Sequence, residues 1–428
     1  MKGLFLILFF ILNIFTANAY PSVYQDGLTL YEKGKAFEGY TFFAPMGKYS
    51  ALGGAGGAYL IDMDGFVVHT WSLNYSLGVD AFLLPNGHLL YAGLDEDGPE
   101  ISNGRGGIIQ ELDWNSKVVW EYKNQYMHHD IEKMPNGNVL AIIWQQLPEN
   151  FSKNIIGGFA ARSFNNSMWG DGIIEINPKG QIVWEWKGID HMRVEDFSLP
   201  PEIPRIEWTH ANSVKYLPAG NPFNGKESIL LSLRQTDNSI IIDKQTKEIV
   251  WIWGKNWTKH QHDTTLLENG NILVFNNGVM GLRDFGGAVP HSSIIEMNPH
   301  TEKIVWEYKG KGLFGWRFFS GVVGGAQRLP NGNTLITDGL EGRIFEVNKQ
   351  NETVWEYINP YFTDEQNENA LFKAYRYSPS EIDWPEKLIA DPGEKKEGLN
   401  YSLLGWVVAF FLLIYSVFVK KAFRHVRS

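Results

Sequence analysis

The chain reads as an all-β protein, a six-bladed β-propeller with an N-terminal signal peptide and one C-terminal transmembrane helix. Two repeating hairpins and two terminal apolar runs carry that reading. The first hairpin is an apolar run, a Gly turn and a second apolar run. It recurs at Leu84-Pro-Asn-Gly87, Met134-Pro-Asn-Gly-Asn138, Leu217-Pro-Ala-Gly-Asn221, Leu267-Glu-Asn-Gly-Asn271 and Leu329-Pro-Asn-Gly-Asn333. An Asn-Gly pair supplies the positive φ angles that a tight hairpin turn needs. The second hairpin is rich in β-branched residues and ends on a tryptophan, as in Val-Trp-Glu-Tyr. Its six markers are Trp71, Trp120, Trp184, Trp251, Trp306 and Trp355.

Two hairpins per unit make a four-stranded antiparallel sheet, and recurrence about every 50–65 residues is propeller spacing. A β-sandwich does not explain six equivalent tryptophan hairpins. The elements follow in order. Residues 1–19 are a signal peptide, with Lys2 as the charged region, Leu4 to Leu12 as the apolar region and Ala17-Asn-Ala19 as the cleavage site. Residues 20–360 hold the propeller. Its first blade is expected to take strands A and B from Leu28 to Phe43 and strands C and D from Ala58 to Trp71. Later blades span residues 80–122, 130–186, 210–253, 263–308 and 325–357. Insertions at 145–168, 189–207, 278–290 and 311–323 are rich in Gly, Asn and aromatics, and are placed to wall a pocket at a propeller face.

Residues 361–400 read as a tail and linker. Tyr401 to Val419 carries no charge and, as a helix, spans roughly 28 Å, enough to cross a bilayer. Lys420, Lys421, Arg424 and Arg427 follow, so residues 420–428 face the cytoplasm and the propeller faces the periplasm, lumen or exterior. The chain is then a single-pass membrane protein. With no cysteine, packing alone must hold an exported body together, and a metal could use only His, Asp or Glu. A net charge of −10 without a basic patch excludes a nucleic-acid binder.

Chemistry concentrates on three repeats. The innermost strand of each blade runs in the same sense, so residues at its start converge at one mouth of the central channel. Three blades place imidazoles there: His129, with His128 beside it, then His210, then His262, with His260 and Asp263 flanking. Strand B returns to the same mouth, and in the second of these blades it ends on Arg234; Gln145, Asn276 and Asp338 end the corresponding strands elsewhere. Imidazole is a nucleophile or an acid–base group, and guanidinium holds the oxygens of an oxyanion. Three histidines could instead hold a metal, with Asp130 or Asp263 behind them. A nearby Arg suits an anion better than a dication. Glu207 and Trp208 flank the site.

Over roughly residues 27–380 the chain resembles the arylsulfate sulfotransferase family. The resemblance rests on Gly27-Leu-Thr-Leu-Tyr31, Gly39-Tyr-Thr-Phe-Phe-Ala-Pro45, Tyr59-Leu-Ile-Asp-Met-Asp-Gly65, His128-His-Asp130 and Thr209-His-Ala-Asn-Ser213. It continues through Ser232-Leu-Arg-Gln235, Gln261-His-Asp263, Ala326-Gln-Arg-Leu-Pro-Asn-Gly-Asn-Thr334 and Ala374-Tyr-Arg376. It implies a six-bladed propeller that moves a sulfuryl group from an aryl sulfate donor to a phenolic acceptor through a sulfohistidine, with no nucleotide sulfate, cofactor or metal. By motif, His262 corresponds to the nucleophile, and His129, His210 and Arg234 to the groups that hold the sulfuryl oxygens. Three departures stand out. The extra N-terminal domain of the bacterial enzymes has no counterpart here, a C-terminal anchor is present, and a disulfide found in some relatives is impossible. A non-catalytic propeller that binds an anionic or sulfated ligand, and a metal-dependent sulfatase or hydrolase, are the competing readings.

Overall fold

Both hairpins of each repeat join into one four-stranded antiparallel sheet, and six sheets follow one another around a ring. The structure is a computed structural model that describes residues 26–46, 56–278, 291–310, 318–362 and 368–385. The expected signal peptide, the helix at 401–419 and the basic tail lie outside these residues. Among the described residues no helix is long and apolar enough to cross a membrane.

Blade 2 runs inward to outward as Leu77–Leu83, Leu89–Leu94, Gly107–Leu112 and Val118–Lys123. Blade 3 is Met127–Lys133, Val139–Gln146, Trp169–Ile176 and Ile182–Lys187, and blade 4 is Ala211–Leu217, Ser228–Leu233, Asn238–Asp243 and Ile249–Trp253. Blade 5 is His262–Leu266, Ile272–Asn276, Ser293–Asn298 and Lys303–Lys309, and blade 6 is Gly325–Arg328, Thr334–Asp338, Arg343–Val347 and Thr353–Ile358. These agree with the sequence-predicted ranges to within a few residues.

Blade 1 does not. Gly27–Tyr31 was expected as its first strand but pairs with Thr353–Ile358, adding a fifth, outer strand to blade 6. The innermost strand of blade 1 is Leu371–Tyr377, from the stretch read as a tail, and it pairs with Tyr40–Pro45. The propeller therefore extends past residue 360. An alternating strand pattern says that a segment pairs, not with which neighbour. Closing the ring with strands from both chain ends removes the open edge that would otherwise invite aggregation.

The repeat signals have separate physical causes. In the hairpin turns only the glycines take positive φ: Gly87 at 78°, Gly137 at 85°, Gly270 at 83° and Gly332 at 86°. The preceding Asn does not adopt it. Instead its side chain accepts a backbone N–H two residues on, as Asn86 Oδ1 does from His88 at 3.1 Å. The tryptophans tie blade to blade. Indole N–H groups of Trp120, Trp184, Trp251 and Trp355 donate to carbonyls in the next blade's outer turn: Pro178 at 3.0 Å, Lys244 at 3.1 Å, Pro299 at 3.2 Å and Met63 at 3.0 Å. Trp355 thus joins blade 6 to blade 1 and helps seal the ring.

Two insertions cover the edge of blades 3 and 4. Gly157–Phe159 pairs in parallel with Leu199–Pro204, and Arg205 clamps the pair by donating to the carbonyls of Ser152, Ile155 and Gly157, each at 2.7 Å. Below it, buried Trp208 donates to the Phe197 carbonyl at 2.8 Å. All but the first residue of the insertion at 278–290, and part of that at 311–323, lie outside the described residues.

Candidate active site

The inner strands of blades 3 and 5 carry a β-bulge where their histidines stand. In blade 3 the ladder passes from His128↔Ile142 to Ile131↔Ala141, leaving His129 and Asp130 as extra residues. In blade 5 it passes from His262↔Phe275 to Thr265↔Leu273. Bulges re-aim side chains and are frequent at active sites. Backbone strain collects here too, with positive φ at His129 (55°), Thr209 (82°), His210 (53°), His260 (54°) and Asp263 (45°). Non-glycine residues are held there only by surroundings that over-determine them.

His129, His210, His262 and Arg234 converge. The rings of His129 and His210 lie 4.4 Å apart, and the charges of His262 and Arg234 act on His129. Arg234 opens a short turn at the end of its strand, where its backbone N–H donates to the His210 carbonyl at 3.0 Å. The opening strand residues thus bring together the four groups expected from sequence. The other strand ends serve the framework: Gln145 donates to Glu185 at 3.4 Å and Asn276 to Ser293 at 3.1 Å.

The ring of His262 is held by its Nδ1, which lies 2.6 Å from Asn277 Oδ1 and 3.1 Å from the His260 carbonyl. Asn277 spends its amide N–H groups on the carbonyls of Ser320 (2.7 Å) and Val323 (2.8 Å), so its oxygen must face His262. Both neighbours of Nδ1 are acceptors. Nδ1 therefore carries the proton, and Nε2 keeps its lone pair. Burial pushes the imidazole's pKa well below its usual value; Arg234 pushes the same way, against a smaller upward pull from Asn277. His262 is neutral, with a bare Nε2.

His210 is different. Its Nδ1 is 2.7 Å from Glu207 Oε2, and the other Glu207 oxygen accepts the Trp144 indole N–H at 2.7 Å. Burial alone would raise the Glu207 pKa, but the charge and hydrogen bond of His210 override it and bring the carboxyl down to about 2. An ionised, fully buried Glu207 fixes the His210 ring through its Nδ1. His129 is driven strongly toward neutrality by burial first, then by His210, His128, His262 and Arg234.

The flanking residues have other tasks. His128 lies behind His129, stacked on Trp144 at 4.5 Å. His260 contributes its carbonyl to His262, and its N–H donates to Asp237 at 2.9 Å. Asp263 turns away from the site: it accepts the Ala326 N–H at 2.9 Å and pairs with Lys373 at 3.1 Å. Sequence reasoning missed Asn277 and Asp171, and gave Glu207 only a wall. One signal was available for Asp171, a lone acid in the otherwise uncharged run Trp169-Gly-Asp-Gly-Ile-Ile.

His128, Asp171 and Glu207 bring one potential metal-ligand atom each within 4.8 Å of one another. Glu207 spends both oxygens on Trp144 and His210, and Asp171 Oδ2 accepts from Thr209 Oγ1 and from the Ala211 N–H at 3.0 Å. Their donor partners make this a hydrogen-bond network, and we assign it no metal.

The family described as Arylsulfotransferase (ASST) matches residues 83–360, most of the chain. The chain belongs to the arylsulfotransferase family. The matched span covers blades 3 to 6 and the outer three strands of blade 2, and includes His129, His210, Arg234 and His262. No curated protein sequence matches it. Among solved structures, a protein of unknown function from Bacteroides caccae is similar with a TM-score of 0.47 and 12% identity, over 79% of this chain and 98% of that one. Kuenenia stuttgartiensis hydrazine synthase is similar with a TM-score of 0.40 and 13% identity, over 69% of this chain and 71% of that one. Neither likeness is close enough to speak to the chemistry of this chain.

Proposed function

We propose that this chain is an aryl sulfotransferase that moves a sulfuryl group from a phenolic sulfate ester to an acceptor phenol through a sulfohistidine at His262. The tautomer of His262 carries this reading: a neutral ring whose proton is pinned on Nδ1 presents Nε2 as nucleophile. In the first half-reaction an N–S bond forms as the aryl O–S bond breaks, and the leaving phenolate takes a proton. In the second, an acceptor phenol gives up its proton and takes the sulfuryl group. Charge spreads over three sulfuryl oxygens in transfer, and Arg234 and His210 are the convergent donors that stabilise it. His129, neutral beside them, handles the phenolic proton.

The propeller faces outward in this reading, anchored by residues 401–419 after removal of 1–19. Fractionation of cells expressing the full chain, with protease added outside, should release the propeller and leave the anchor with the membrane. For the chemistry, enzyme mixed with 4-nitrophenyl sulfate should release about one equivalent of nitrophenol and stall until an acceptor phenol arrives. Label from a sulfur-35 donor should map to the peptide containing His262. Steady release in water, abolished by chelator, would mean a metal-dependent hydrolase. Binding with no release would mean a sulfated-ligand module.

A further inference from the structure

His128 is the one histidine near the site with no task in the mechanism above, and both its nitrogens face titratable groups. Nδ1 lies 2.8 Å from Nδ1 of His129, and Nε2 lies 3.3 Å from Asp171 Oδ1. All three side chains are buried. The ring is fixed by its stack on Trp144. Asp171 is fixed from the other side, because its Oδ2 accepts from the Thr209 hydroxyl and the Ala211 N–H. His128 Nε2 and Asp171 Oδ1 are buried, face each other and have no other hydrogen-bond partner, so a hydrogen on Nε2 is the arrangement that serves both. A shared proton must then lie between the two Nδ1 atoms, since two bare nitrogens at 2.8 Å would repel. Asp171, His128 and His129 form a line that ends at the sulfuryl site.

Building on the sulfotransferase reading, we propose that Asp171 and His128 form a relay that lends a proton to the leaving phenolate in the first half-reaction and recovers one from the acceptor phenol in the second. Before the donor reacts, His128 carries both protons against Asp171, its Nδ1–H donates to His129, and His129 presents Nε2–H to the site. When the aryl O–S bond breaks, the phenolate takes the proton from His129 Nε2, and the proton on His128 Nδ1 moves to His129 Nδ1. The relay has then given up one proton and its charge. An acceptor phenol reverses both hops as its oxygen bonds to sulfur. No proton enters from water, which suits a site whose groups are buried. His128 and Asp171 act through His129 and are positioning residues.

The relay keeps a hydrogen on His128 Nε2 in both states, and that can be read directly. In Asp171→Asn the two donors at Oδ2 hold the amide oxygen, so the amide N–H₂ faces His128 and forces its Nε2 bare. Nitrogen-15 spectra of the full chain, labelled at histidine, should show that protonated nitrogen becoming bare. Activity should split by leaving group. With 4-nitrophenyl sulfate, whose phenolate leaves unaided, the burst should stay within about threefold of wild type. With phenyl sulfate, whose phenolate needs a proton, it should fall by roughly 10²-fold. His128→Phe keeps the stack on Trp144 and removes both nitrogens, and should give the same split. An unchanged His128 tautomer in Asp171→Asn, or equal losses on both esters in both variants, would overturn the relay. A wild-type chain inactive on both esters would overturn the sulfotransferase reading instead, and the tautomer would still decide the relay.

Discussion

Blades 2 and 5 both break the ladder of the inner strand, by different amounts, and use the break for opposite ends. In blade 5 the bulge begins at His262 and continues with Asp263. In blade 2 the ladder breaks between Leu77 and Ala81, so Val79 and Asp80 hold the matching places. Both aspartates turn the same way, to the buried ammonium of Lys373 at 3.3 Å and 3.1 Å, and Asp130 of blade 3 joins them at 3.3 Å. The residue before each aspartate differs: a histidine in blades 3 and 5, an apolar side chain in blade 2. In these three blades one position is therefore structural and constant, and its neighbour is free to carry chemistry.

The comparison can be broken from its catalytic side first. His262→Ala should lose the burst and the sulfated peptide, with turnover down by roughly 10⁵–10⁶-fold, as for removal of a covalent nucleophile. Val79→Ala, at the equivalent place, should keep the burst. If both behave alike, the two positions do not differ in role.

Lys373→Met tests the shared half. Burial alone would lower the lysine's pKa, but Asp130, Asp263 and Asp80 outweigh it and hold the ammonium well above its usual value. Removing it leaves three buried carboxylates without their cation, and unfolding in urea should show a loss of about 3–5 kcal/mol. A loss under about 1 kcal/mol would mean that Lys373 does not join the blades energetically.

Arg234→Lys sharpens the catalytic half. A point charge cannot make the forked contact of guanidinium, so turnover should fall by roughly 10- to 100-fold with the labelled intermediate still formed. Full activity would show that only charge is needed there.

Acid gives the smallest effect. The pKa of Glu207 is depressed in the folded state, so its stabilisation is present above the ordinary value of 4.5 and is lost as pH falls toward about 2. Wild type should thus lose stability over that interval, and Glu207→Gln should lose less, as read from urea midpoints. Parallel curves would remove Glu207 as an ionised partner of His210.

Much of this was legible in the sequence, because the hairpin turns and tryptophan markers are local signals, repeated five and six times. His129, His210, His262 and Arg234 could be found by register within the repeat. What escaped was of two kinds. The strand Leu371–Tyr377 reads as a tail because its partner, Tyr40–Pro45, lies at the other end of the chain. Asn277 and Asp171 act by fixing which nitrogen bears a hydrogen, and that depends on neighbours from distant segments. Asp263 adjoins His262 in sequence, yet its bulge sends it to Lys373.

The closing strand also sets a timetable. Arg376 reaches Thr41 Oγ1 at 2.6 Å across 335 residues of chain, and Lys373 meets carboxylates from three earlier blades. During synthesis from the N-terminus, every histidine of the site emerges before the strand that brings Lys373. Until then the aspartates at the inner ends of blades 2, 3 and 5 face one another with only Lys215 of blade 4 to offset their like charge. Among the described strands the last to leave the ribosome is the one that lets the ring shut, so a chain cut short before residue 371 should never fold into the closed propeller.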